Sequence, residues 1–166
     1  MEARAKILGH PIHQMLIPFP LGLLATSFFF DLAYFIVGNE QLAIVAYWMI
    51  LAGVIGGLAA AVFGLIDWLA IPDGTRAKAV GMWHGGGNVI VVALFIAGWF
   101  LRRPAPAQPS IAAVVLSGLA VLLSVVTGWL GGELVDRLGV GVDEGAHLDA
   151  PSSLSGRPAS ERAGQR

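Results

Sequence analysis

Four long apolar stretches alternate with short polar breaks along this chain. They run about Met15–Val37, Leu42–Ile71, Val80–Leu101 and Ile111–Leu130. Each is near the ~20 residues a helix needs to cross ~30 Å of hydrocarbon. The second is longer than that and should tilt or project. The breaks are Gly38-Asn39-Glu40, Pro72-Asp73-Gly74, and Arg102-Arg103-Pro104 through Pro109, all turn-forming or charged. The pattern predicts an all-α, integral membrane four-helix bundle, up-down-up-down, over residues 1–142. Residues 143–166 are rich in Ser, Pro, Gly, Ala and Arg and have no apolar periodicity, so a disordered tail is expected. No fixed-period repeat is visible. Met1–Lys6 is basic, but the apolar run after it is too long for a signal peptide, contains Asp31 and lacks a suitably placed A-x-A site. It reads as a retained first span.

Composition points the same way. Of 166 residues, 56% are hydrophobic and 13% charged, against about a quarter charged in soluble domains. A short chain has too little interior to hide so much apolar surface, and lipid can cover it instead. The net charge of -1 gives no basic field for nucleic acid. Cysteine is absent, which excludes disulfides, thiolate metal sites, Cys-ligated iron–sulfur clusters and covalent haem attachment.

Small residues mark where helices should meet, because lipid tails are as apolar as Leu and close approach drives association. Gly53, Gly57, Ala60, Gly64 and Asp67 recur every three or four positions, on one stripe of the second helix. Ser117, Val121, Ser124, Gly128 and Gly131 do so on the fourth. Gly131-Gly132 is a candidate helix break just before Glu133. Tryptophans 48, 68, 83, 99 and 129 lie near the ends of spans, where amphipathic rings favour the interface. The N-terminal side of the membrane, side A, carries Arg4, Lys6, Arg76, Lys78 and Arg137, whereas side B carries Arg102 and Arg103. Cationic loops stay cytoplasmic, so both termini are expected inside, in a bacterial inner membrane.

Ionisable groups at membrane depth need a reason to be there. His10, His13, Asp67, His84 and Glu133, from four segments, should gather near side A. Imidazole and carboxylate suit a transition metal. His10, His13 and His84 could alternatively supply axial ligands to haem b. Each residue also has a plainer reading. His10 and His13 could bond water, headgroups or a helix end, and Asp67 could meet Trp83 Nε1–H or Arg76. Glu133 could pair with Arg137, and His84 could make an interhelical hydrogen bond on the face it shares with Asn88. Asp31 sits nearer side B, where Ser27 or Tyr34 could satisfy it or it could be a second proton site. No G-x-S-x-G, H-E-x-x-H, P-loop or dinucleotide fingerprint occurs, so no catalytic constellation is recognisable.

The run Gly9-His10-Pro11-Ile12-His13-Gln14-Met15-Leu16-Ile17-Pro18-Phe19-Pro20-Leu21-Gly22 resembles the opening signature of a family of uncharacterised bacterial four-helix membrane proteins. Phe63-Gly64-Leu65-Ile66-Asp67-Trp68, the His84…Asn88 pair, Gly128 through Val135 and Gly139-Val140-Gly141-Val142 are similar too. The family's pattern has Pro where Gln14 stands and often His where Leu138 stands. The resemblance, over roughly Ile7–Val142, implies the fold and the membrane. Some members are fused to Rieske-type iron–sulfur domains, which implies a redox partner only by association. The leading expectation is a metal- or haem-binding module for electron transfer. Its rivals are a proton or small-solute carrier and a structural or assembly subunit. The partners expected are the lipid bilayer and a redox protein, and no nucleic acid.

Overall fold

The structure, a computed structural model, describes residues 1–162. Two short strands, β1 (Lys6–Ile7) and β2 (His10–Pro11), pair antiparallel with Ile7 opposite His10. The hairpin was not expected from the sequence. It is followed by α1 (Ile12–Leu16), α2 (Pro18–Val37), α3 (Glu40–Leu69), α4 (Arg76–Arg102) and α5 (Ile111–Gly132). α5 widens into a π-helical turn, Glu133–Arg137. The helix therefore runs through Gly131-Gly132 rather than breaking there.

Local chemistry sets these limits. Pro18 and Pro20 fall in the first turn of α2, where a missing N–H costs nothing. Gly38 closes α2 with a left-handed φ of 71° and donates its N–H to Tyr34 O. Asn39, Thr75 and Ser110 cap α3, α4 and α5 by accepting backbone N–H bonds. Four helical segments, Ile12–Val37, Glu40–Leu69, Arg76–Arg102 and Ile111–Arg137, are long and apolar enough to cross a membrane.

α2 packs on α3 and α4 on α5, giving two helix hairpins that meet across a narrow core of Leu24, Ile50, Val54, Val91, Phe95 and Ala120. Many large apolar residues outside that core point outward, among them Phe19, Phe29, Ile55, Leu122 and Trp83. Such exposure is expected of a surface solvated by lipid tails and would be a liability in water.

The small-residue stripe of α3 faces inward as expected. Gly53 lies on Leu24, Gly57 near Pro20 and Val92, and Gly64 on His13. On α5, Ser117 is buried and Gly131 lies on His84, but Gly128 is exposed with open space beside it. At the side A end, the two ends of the bundle are tied together. The Met1 ammonium donates to Gly139 O at 2.9 Å, and Gly141 N–H donates to Met1 O. Lys6 Nζ pairs with Glu2 and Asp143. These carboxylates raise the Lys6 pKa, and the ammonium lowers that of Glu2. Residues 143–162 are irregular, with a few turns and one short 3-10 turn at Ser153–Ser155. Ser153 Oγ lies 3.3 Å from His10 Nε2, so this segment reaches back to the N-terminal hairpin. The rest of the expected tail, 163–166, lies outside the described residues.

Candidate functional site

Two histidines meet between the hairpins. His13, on α1, belongs to the first; His84, on α4, belongs to the second. Their ring centroids are 6.4 Å apart with planes 87° to one another. Each ring is held in the same way by its own hairpin. His13 Nδ1 is 2.8 Å from Ala60 O, and His84 Nδ1 is 2.8 Å from Thr127 O. A carbonyl can only accept, so both Nδ1 atoms donate, and in the neutral form of a ring so held the lone pair lies on Nε2.

Glycine makes the room. A Cβ at Gly64 would lie 2.8 Å from His13 Cε1, and one at Gly131 would lie 3.1 Å from His84 Cε1. Asn88 adds an outer layer on the His84 side. Its Nδ2 donates to His84 O at 2.8 Å and lies 3.4 Å from His84 Nε2, and its Oδ1 accepts from Thr127 Oγ1. The shared His84–Asn88 face expected from the sequence is thus in use.

The other expected ligands are placed elsewhere. Asp67 Oδ1 accepts backbone N–H bonds from Arg4 and Ala5, at 2.7 and 3.0 Å, and so anchors the N-terminal segment. Neither Trp83 nor Arg76 is its partner. Glu133, the first residue of the π turn, pairs with Arg76 at the start of α4 at 2.6 Å, not with Arg137. His10 is exposed beside Ser153. Among the described residues no three His, Asp or Glu side chains are grouped to hold a metal ion. The five expected residues do not converge on one point; two of them, His13 and His84, do.

A second polar cluster occupies the side B end. Asp31 Oδ1 accepts from Arg102 Nη1 at 2.7 Å, with both side chains at 0% exposure. Arg102 Nη2 also donates to Ser117 Oγ at 2.9 Å. Asp31 Oδ2 and Arg102 Nε have no hydrogen-bond partner among the described residues. Sequence reasoning put Arg102 in the side B loop and gave Asp31 to Ser27 or Tyr34. Instead Arg102 is the last residue of α4 and turns back into the bundle, while Ser27 Oγ donates to Leu24 O. The signal was present: a lone carboxylate inside a span needs a cation at its own depth, and Arg102 ends the neighbouring span on that side. Ala60 and Thr127, which orient the rings, gave no such signal because they act through backbone carbonyls.

Comparison with family models matches residues 9–144 to a family described as "Predicted membrane protein (DUF2231)", and the chain belongs to that family. No curated protein matches the chain. No solved structure matches it either.

Proposed function

We propose that this family member is a membrane-embedded two-histidine centre that takes a transition-metal ion, bare or as haem b iron, between its helix hairpins, for one-electron exchange with a partner protein. The observation that carries this reading is the orientation of the rings. Imidazoles that bind metals typically donate their other N–H to a carbonyl or carboxylate, which fixes the tautomer and the ring plane. His13 and His84 both do so. With metal–nitrogen bonds of about 2.0–2.1 Å, two imidazoles that held one ion between them would have centroids at most roughly 6.3 Å apart. The observed separation is 6.4 Å. Two protein ligands would leave a bare tetrahedral ion half-coordinated, whereas haem would bring four donors of its own and would take only His13 and His84 from the protein. The donor set thus favours haem iron over a bare ion. The carrier reading draws less support, since Asp31 and Asp67 are both engaged in structural bonds.

The orientation proposed is a bacterial inner membrane with both termini and the Pro72–Ala79 loop cytoplasmic. It rests on the side A cations, and it is strengthened by the withdrawal of Arg102 into the bundle.

The test is elemental analysis and an absorption spectrum of gently purified protein, beside His13→Ala and His84→Ala. Either variant is expected to lose most of the bound metal and any Soret band while remaining folded. A parent that carries no metal or haem, even after incubation with either, refutes the reading and leaves the structural role.

A further inference from the structure

We infer that the bundle is an internal duplication of one helix hairpin, whose two copies form a self-complementary interface keyed by the Asp31–Arg102 pair. His84 follows His13 by 71 positions, and Arg102 follows Asp31 by the same 71 (84 minus 13; 102 minus 31). The buried residues between them keep that step. Pro20, Leu24 and Ser27 of α2 correspond to Val91, Phe95 and Gly98 of α4, and all six are buried.

The second helix of each hairpin repeats as well. Ala60 and Thr127, whose carbonyls hold the two rings, are 67 apart, and so are Gly64 and Gly131, on which the rings lie (127 minus 60; 131 minus 64). At that step Ala46, Ile50 and Gly53 of α3 match Ala113, Ser117 and Ala120 of α5, again all buried. The two steps differ by four residues, about one helical turn, so the facing of the helices is preserved. Few identities survive, which is why no period shows in the sequence.

Both copies run in the same sense, and equivalent residues meet each other, His with His at one end and Asp with Arg at the other. That is the arrangement of parallel repeats about an axis along the membrane normal. An isologous interface between identical hairpins would bring like residues together on that axis. Histidine tolerates this. At the other end it would press Asp on Asp or Arg on Arg in a dry, low-dielectric interior, where unpaired charge is strongly unfavourable. The unlike pair therefore makes the partner of the first hairpin the second hairpin, not another copy of itself. The inference does not depend on what occupies the histidine pair.

Exchange of the pair, with its surroundings, tests this. Asp31→Arg and Arg102→Asp are each expected to lower the yield of folded, monodisperse protein in detergent about tenfold or more. If the hairpins are equivalent, the guanidinium introduced by Asp31→Arg will find the carbonyl of Ala46 in place of that of Ala113, and it needs a hydroxyl at position 50. The combined variant D31R/I50S/R102D/S117I is expected to return to within about threefold of the parent. A combined variant no better than the single ones overturns the equivalence of the halves. Single variants that fold like the parent overturn the role of the pair. Both readouts report folding, so they are separable from metal content.

Discussion

Gly64 and Gly131 differ from the other glycines of the bundle in what they touch: each leaves room for an imidazole. Adding one methyl group at Gly64 places a carbon 2.8 Å from His13 Cε1, closer than side chains tolerate. The neighbour is a rotatable ring rather than backbone, so the ring should move, its 2.8 Å bond to Ala60 O should break, and the helices should stay. Gly64→Ala is expected to cut metal or haem content severalfold with a melting temperature close to the parent's. Gly131→Ala, with its contact at 3.1 Å, should do less. Loss of folding in step with loss of metal would make the histidines packing elements instead. At this scale depth and spacing identify which residues are costly in a membrane, but not their partners. Asp67, Glu133 and Asp31 all found partners other than those expected.

Among the helices, α3 depends most on small residues. A Cβ at Gly53 would meet Leu24 Cγ at 2.6 Å and Leu23 Cβ at 3.3 Å, so any side chain there forces α2 and α3 apart. Overpacking of this kind costs about 1–3 kcal/mol or more. Gly53→Leu is expected to lower folded yield in detergent sharply. Leu58→Ile, at a residue 53% exposed, should change stability by no more than about 0.5 kcal/mol. Equal tolerance at both positions, read by thermal unfolding, would misplace the seam. The stripe itself was legible because a 3.6-residue period maps directly onto one face of a helix. The π turn after α5 was not, since it depends on where Glu133 finds Arg76.

For the whole molecule the distribution of cations bears on orientation. Side A holds Arg4, Lys6, Arg76, Lys78 and Arg137, and side B now offers Arg103 alone, Arg102 being enclosed with Asp31. Reporters placed after Val142 and in the Pro72–Ala79 loop are expected to be cytoplasmic, and one in Arg103–Pro109 external. A cytoplasmic signal from Arg103–Pro109 with external signals from the other two would invert the bundle and put the histidine pair near the outer face.

The sequence by itself determined the class, the number and the approximate limits of the helices, and the packing face of α3, though on α5 the expected stripe held only in part. Hydrophobic length, turn residues and small-residue period are local quantities, each read from neighbours along the chain. Tertiary structure decided the pairings, of which only Asp31 with Arg102 had a hint in the sequence, a carboxylate and a cation at one depth. His13 with His84, Asp31 with Arg102 and Glu133 with Arg76 each join positions at least 57 residues apart. Their geometry depends on how two hairpins turn and settle against each other. The repeat was hidden for the same reason: what recurs is burial and position about an axis, while lipid and close packing accept many side chains at each equivalent site.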